Sequence, residues 1–181
     1  SDVISVTKKR ILWLHTGFVT VLLGGTFLIS NFLLSEWSNN LYTDRIVFAK
    51  ETPYQNIVMT KNKDDLRLYL NGNLQFSSSD EYRYHEALVH VPFNFVESPG
   101  SVLILGGGDG LVVREVLKHL SVDKIKLIDL DPEISRLGTD NENMLRVNRG
   151  SLNNNKVKVI NDDAYKFLLN SNETYDVIII D

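Results

Sequence analysis

The sequence predicts an α/β fold: a parallel sheet with helices on both faces, preceded by a small antiparallel β unit and one transmembrane helix. Three observations predict it. Residues Ile11 to Leu34 contain no Asp, Glu, Lys or Arg over 24 positions. Short β-type runs follow, two of them joined by Asn71-Gly72. From Ser101 onward, apolar runs of strand length alternate with helix-length segments, the pattern of strands joined by crossover helices.

The first segment, 11–34, reads ILWLHTGFVTVLLGGTFLISNFLL. As a helix it spans roughly 36 Å, enough for a hydrocarbon core with some tilt. A basic flank, 1–10, carries Lys8, Lys9 and Arg10. Trp13 and Trp37 stand near the two ends, where interfacial aromatics are favoured. A signal peptide would have a shorter apolar region and a small-residue cleavage site. A core helix so uniformly apolar would be unusual in a small domain. Thr16, Thr20 and Gly24 recur every four residues, a small-residue stripe that lets membrane helices pack closely.

Residues 35–45 are polar and read as a linker. In the β unit, 46–79, the expected strands are 46–49, 55–60, 66–70 and 74–76. Asn71-Gly72 is a two-residue hairpin signal, because both positions tolerate positive φ. The last domain, 80–181, opens with a helix over 80–95 that Pro92 can interrupt. Ser98-Pro99-Gly100 breaks the chain. Expected strands at 101–105, 124–130, 156–160 and 176–180 then alternate with helices at 111–120, 132–148 and 164–170. The last strand runs directly into Asp181, so the domain is expected to be incomplete after its fourth strand.

Composition narrows the chemistry. With 43% hydrophobic and 23% charged residues, the chain is too apolar for disorder. A net charge of −4 gives no reason to expect nucleic acid, and a cationic partner fits better than a polyanion. Absence of cysteine excludes disulfides, thiolate catalysis and cysteine metal sites. The four histidines have no zinc spacing, so no metal site is expected.

In an open parallel sheet, ligands bind beyond the carboxyl ends of the strands. All four expected strands end in carboxylates: Asp109 in the loop Gly106-Gly107-Gly108-Asp109-Gly110, then Asp129 and Asp131, then Asp162 and Asp163, then Asp181. Helix capping accounts for an acid at one or two such places, less readily at four. A dinucleotide G-x-G-x-x-G needs a third glycine where Leu111 stands, and Asp109 would oppose a pyrophosphate. The loop suits a positively charged nucleoside ligand better than NAD. Asp129, at the end of the second strand, is placed to accept ribose hydroxyls.

These segments, taken in order from Thr52-Pro53-Tyr54-Gln55 through Leu70-Asn71-Gly72-Asn73-Leu74-Gln75, Asp80-Glu81-Tyr82-Arg83-Tyr84-His85-Glu86, the glycine loop, Asp129-Leu130-Asp131, Asp162-Asp163-Ala164 and Tyr175 to Asp181, resemble the polyamine aminopropyltransferases (spermidine synthases). The similarity is to the bacterial branch with membrane helices ahead of the catalytic domain. It implies a Rossmann-like, class I methyltransferase-like sheet. The activity implied is aminopropyl transfer from decarboxylated S-adenosylmethionine, a co-substrate rather than a resident cofactor, to putrescine or a similar polyamine, giving spermidine and methylthioadenosine. By the same resemblance Asp181 is the proton acceptor, and Tyr84, His85 and Asp109 serve the polyamine and aminopropyl group. Gln55, Gly106, Gly108, Asp129, Asp163 and Ala164 serve the nucleoside. Asp129 is Glu in many soluble members, and Ala164 is often Gly. A second Asp expected shortly after Asp181 falls beyond the chain, so the 181-residue chain is expected to be inactive by itself.

Two alternatives compete. A methyltransferase-like enzyme of the same fold usually has an acid two residues before the first loop glycine, where Ile104 stands, and its co-substrate keeps a carboxylate that Asp109 would repel. A non-catalytic membrane-anchored fragment has no reason to keep all four acids. The Lys8-Lys9-Arg10 cluster favours a cytoplasmic N-terminus, yet the nucleoside donor is cytosolic. The cytoplasmic face of a bacterial inner membrane is the expected location, with a homo-oligomer left open.

Overall fold

A computed structural model describes residues 6–181, apart from the side chains of 6–10, 28 and 31–41. The expected basic flank, 1–10, therefore lies outside the described residues except for its backbone from Val6. The chain divides into two compact units, Ser1–Asp44 and Arg45–Asp181.

Among the described residues the first unit holds one helix, α1 (Val6–Leu41). It continues through most of the stretch expected as a linker. Among the described residues no helix is long and apolar enough to cross a membrane. Within the expected span 11–34 the side chains of residues 28 and 31–34 lie outside the described residues. Its described apolar side chains are exposed, Trp13 and Val21 at 76% and Leu14 at 73%.

The second unit begins with an antiparallel sheet of β1 (Arg45–Glu51), β2 (Asn56–Asn62), β3 (Asp65–Leu70) and β4 (Asn73–Ser77) in that spatial order. The β3–β4 turn holds Asn71 at φ 52° and Gly72 at φ 79°, the double left-handed geometry that an Asn-Gly pair accepts. Ile57, Met59, Leu66, Leu68 and Phe76 bury one face of this sheet against Leu111, Ile134, Leu137 and Met144. The β unit is thus fastened to helices of the parallel domain by a continuous apolar core.

That domain runs α2 (Tyr82–Phe93), β5 (Ser101–Leu105), α3 (Leu111–Val116), β6 (Lys124–Asp129), α4 (Pro132–Asp140), α5 (Glu142–Asn148), a 3₁₀ turn at Ser151–Asn153, β7 (Val157–Asn161), α6 (Ala164–Asn170) and β8 (Val177–Ile180). The strand order is β7-β6-β5-β8, and every pairing is parallel. β5 is buried on both faces. Val102 and Ile104 join the core with Val89, Val113 and Ile179, whereas Leu103 and Leu105 join Ile128 beneath Phe167 and Tyr175. This two-sided burial explains why β5 reads as an unbroken apolar run.

Three elements depart from expectation. The helix expected over 132–148 is two helices. Asn141 lies between them in extended conformation (φ −77°, ψ 121°), and its side chain accepts from the backbone N–H groups of Asn143 and Met144, so it starts α5 as an N-cap. The helix expected over 111–120 ends at Val116, after which Lys118 and His119 turn back by bonds to Glu115 and Val116 carbonyls. The α2 helix spans Tyr82–Phe93 and keeps Pro92 in its last turn.

Candidate active site

The chain order moves from β5 outward through β6 to β7 and then returns to β8 on the other side of β5. Ligand crevices form at such a reversal of strand order, outside the carboxyl ends of the strands. The cavity found there has a volume of about 680 Å³. It is lined by the carboxyl ends of β5, β6 and β8, by the start of α6, and by a wall from the antiparallel unit that includes Gln55 of the β1–β2 loop and Leu68, Leu70 and Phe76 of its strands. Five carboxylates face it (Asp109, Asp129, Asp131, Asp163 and Asp181), and no Lys or Arg is among its lining residues.

The glycine loop lets the chain pass close under this cavity. Gly106 leaves β5 at φ +89°, and a side chain there would meet the Asp181 carbonyl oxygen at 2.5 Å. Gly108 donates its N–H to Asp129 Oδ2 at 2.8 Å, and a Cβ at Gly108 would collide with that same carboxylate. Asp129 also accepts from the N–H of Asp131 at 2.9 Å. Two backbone amides therefore fix its orientation. Burial pushes its pKa up and the two amides oppose that shift, while the neighbouring charges of Asp131 and Asp181 add to it. Asp131 is buried and caps α4, accepting from Glu133 N–H at 3.0 Å. Its other oxygen accepts from Thr52 Oγ1 at 2.7 Å and Gln55 Nε2 at 3.0 Å. Gln55 is thereby held at the cavity wall by Asp131, which the sequence placed among the strand-end acids without a role of its own.

At the other end stand Tyr84, His85, Asp109 and Asp181. Tyr84 donates its hydroxyl to Asp181 Oδ1 at 3.0 Å. Asp181 is tied to the sheet through its backbone N–H, which donates to the Leu105 carbonyl at 2.9 Å. Asp109 accepts from Leu111 N–H at 2.9 Å. Enclosure by protein, then the charge of Asp181, push the Asp109 carboxyl up to about 6. Burial and the same Asp181 charge raise the Tyr84 phenol. Burial disfavours a charge on His85, but its hydrogen bond to Glu81 and the fields of Asp109 and Asp181 outweigh that and raise its pKa. This end is an excess of negative charge in a confined space, which a cation would relieve.

All ten residues singled out from the sequence line the one cavity: Gln55, Tyr84, His85, Gly106, Gly108, Asp109, Asp129, Asp163, Ala164 and Asp181. Capping does explain part of the acid pattern. Asp131 caps α4, and Asp163 caps α6 through the N–H groups of Tyr165 and Lys166. Asp129 caps no helix among the described residues; its oxygens take the Gly108 and Asp131 amides instead. Sequence reasoning missed Gly107, whose Cβ would lie 2.9 Å from Asp181 Oδ2, and the apolar wall of Leu68, Leu70 and Phe76. It also missed the Glu81–Arg114 pair behind His85. The glycine loop itself pointed toward Gly107 and the hydrophobic alternation of β3 toward Leu68 and Leu70, whereas nothing in the sequence paired Glu81 with Arg114.

A parallel sheet with a glycine loop and an acid at each strand end defines a nucleoside-binding class. Residues 81–181 match the spermine/spermidine synthase domain, and the chain belongs to that family. A polyamine aminopropyltransferase from Leptospira interrogans is 45% identical over 184 aligned positions, covering 99% of this chain and 36% of the relative. One from Oceanobacillus iheyensis is 46% identical, covering 91% and 32%. A solved spermidine synthase in complex with the transition-state analogue AdoDATO is 31% identical with a TM-score of 0.70, over 75% of this chain and 46% of that one. The spermidine synthase of Thermotoga maritima matches with the same identity and TM-score over 76% and 46%. The chain thus spans about a third of the length of these curated relatives.

Proposed function

We propose that the protein transfers an aminopropyl group from decarboxylated S-adenosylmethionine to a diamine such as putrescine, releasing methylthioadenosine. The observation that carries this reading is a cavity that, among the described residues, is lined by five carboxylates and no lysine or arginine, in a chain of the spermine/spermidine synthase family. The donor tail carries an ammonium and a sulfonium, and the acceptor carries an ammonium at each end at neutral pH. Asp109 and Asp181 supply the opposing charge.

An amine with pKa near 10 attacks carbon only after losing a proton. In this reading Asp181, oriented by Tyr84, takes that proton. The amine nitrogen bonds to the methylene carbon beside sulfur, the carbon–sulfur bond breaks, and its electron pair returns to sulfur to give the neutral thioether. Asp129 accepts the ribose hydroxyls. Gln55, Asp163 and Ala164 border the nucleoside, with Gly106 and Gly108 giving room beneath it. Asp109 holds the aminopropyl or diamine ammonium beside Tyr84 and His85.

The same reading makes α1 a membrane helix and places the catalytic unit on the cytoplasmic face of a bacterial inner membrane, where its nucleoside donor is made. The uncharged stretch 11–34 supports this, as do the exposed Trp13, Leu14 and Val21. The hydroxyls of Thr16, Thr20, Thr26 and Ser30 donate to α1 carbonyls three or four residues earlier. Such self-satisfaction is what a helix in lipid requires. The full-length protein is expected to resist alkaline extraction from membranes, and release into the soluble fraction would overturn the anchoring.

The activity test is amine-dependent methylthioadenosine release by the full-length protein given decarboxylated S-adenosylmethionine and putrescine. Turnover of ordinary S-adenosylmethionine without such release would move the assignment to methyl transfer.

A further inference from the structure

His85 is held from behind by a buried ionic assembly. Its Nδ1 lies 2.8 Å from Glu81 Oε2 and 2.9 Å from the Glu81 backbone carbonyl. Both partners accept hydrogen bonds, so Nδ1 carries the proton and the neutral ring has its lone pair on Nε2. Nε2 has no partner among the described residues, and His85 lines the cavity. Glu81 is itself gripped: Arg114 NH1 donates to Oε1 at 2.8 Å and NH2 to Oε2 at 2.9 Å. Arg114 is braced by Glu115 Oε1 through Nε at 2.9 Å and by the Val147 carbonyl at 2.9 Å. Side-chain exposures are 5% for His85, 6% for Glu81 and 10% for Arg114.

Charges this deep are costly unless each is paired and hydrogen-bonded. Here every member is, and the assembly ends on one ring nitrogen that faces the cavity. A hydrophobic cluster would fill the same space between α2 and α3 without an ionic chain.

We infer that Glu81 is a positioning residue that, clamped by Arg114, fixes His85 so that Nε2 accepts a hydrogen bond from an ammonium of the diamine. This rests on the aminopropyl-transfer reading above. The groups facing His85 are Glu81 and Tyr84 from its own end of α2, Arg114 from α3, Asp109 from the glycine loop, and Asp181 after β8. The anionic partners increase the basicity of the ring and so strengthen Nε2 as an acceptor. Burial, and His85 and Arg114 acting against it, leave Glu81 at about 2, so it stays ionised across the working range.

The test pairs a turnover-free measurement with kinetics on the full-length protein. Side-chain ¹⁵N spectra, with His85→Gln to assign the signal, should give the Nδ1–H tautomer in the wild type, and putrescine should shift the Nε2 resonance. In Glu81→Gln the His85 titration should move to lower pH, because the carboxylate hydrogen bond that raises it is lost. At a pH above the measured His85 titration in both proteins, KM for the diamine should rise about tenfold while KM for the nucleoside donor changes less than about twofold. An Nε2–H tautomer in the wild type would overturn the inference. So would a variant that loses thermal stability but keeps the diamine KM and the His85 titration, which would make Glu81–Arg114 a structural ion pair only. Should the wild type release no methylthioadenosine, the reaction falls. The tautomer and the putrescine titration still decide the role of His85.

Discussion

The two ends of the cavity use the same residue type in opposite ways. At the nucleoside end, Asp129 and Asp131 are filled with donors from Gly108, the Asp131 backbone, Glu133, Thr52 and Gln55. At the amine end, Asp109 has one backbone donor and Asp181 has the Tyr84 hydroxyl. On the proposed reading, Asp129 is a fixed acceptor for neutral hydroxyls and Asp131 the brace beside it. Asp109 and Asp181 are charges held with fewer donors among the described residues, which a cation would complete. The difference teaches that a carboxylate's role follows from how many of its acceptor sites the fold has already used.

The sharpest way to break this comparison is to neutralise the amine end. Asp181→Asn keeps the shape and the Tyr84 contact but removes the base. Amine-dependent methylthioadenosine release is expected to fall on the order of 10²–10⁴-fold, the usual worth of a positioned general base, with nucleoside affinity nearly unchanged. Equal loss of nucleoside binding would mean the two ends are not separable. The next effect comes from the other end. Gly108→Ala sets a Cβ 2.5 Å from Asp129 Oδ2 and must displace the carboxylate from the amide that holds it. Methylthioadenosine affinity, read by calorimetry, is expected to drop about 10- to 100-fold, the size of a lost charged hydrogen bond. An unaltered affinity would show that Asp129 does not hold the nucleoside.

The unfilled state of Asp109 has a signature in stability. Its pKa of about 6 stands above the ordinary carboxylate value of 3.8, so the folded protein binds that proton more tightly than the unfolded chain. Stability from this group is fully present below about pH 4 and is lost as pH rises through about 6. Asp109→Asn removes the penalty. The variant should be more stable than the wild type at pH 7.5 by on the order of 2–3 kcal/mol and about equal near pH 4, measured by urea unfolding of the full-length protein. It should also lose diamine binding. In the wild type, diamine binding should weaken as pH falls through about 6. A pH-independent difference would sink the assignment of that titration to Asp109.

Much of this was legible in the sequence, for reasons that differ by element. The bounds of β5 and α6 were readable because Ser98-Pro99-Gly100 and Asp163 punctuate runs whose periodicity is unambiguous. Strand-end acids could be grouped without a structure because a parallel sheet brings all its carboxyl ends to one edge. Asn141 could not be read as a break, since a polar residue within an amphipathic run looks like a helix surface until its side chain is seen capping α5. The Glu81–Arg114 pair was equally hidden. Its members lie 33 residues apart, on helices where each resembles an ordinary solvent-facing charge. Gln55 was named for the nucleoside, but its partner Asp131 lies 76 residues away, and only the packing of the antiparallel unit against α4 brings them together.

That long-range contact gives the mildest way to sharpen the comparison. Asp131 does two jobs with two oxygens: one caps α4 through Glu133 N–H, the other receives Thr52 and Gln55. In Asp131→Asn, Oδ1 can still cap the helix, but the amide nitrogen in place of Oδ2 is a donor and cannot accept from the Gln55 amide. The cap itself is worth about 1 kcal/mol, so Asp131→Ala should lower stability by roughly that amount or somewhat more, whereas Asp131→Asn should spare most of it. Both should weaken nucleoside binding by a similar factor, about three- to tenfold, because both release Gln55 from the cavity wall. Thermal unfolding and methylthioadenosine titration of the two variants separate the jobs. If the Asn variant keeps wild-type nucleoside affinity, Gln55 needs no anchor, and the nucleoside end owes its order to the backbone amides on Asp129 alone.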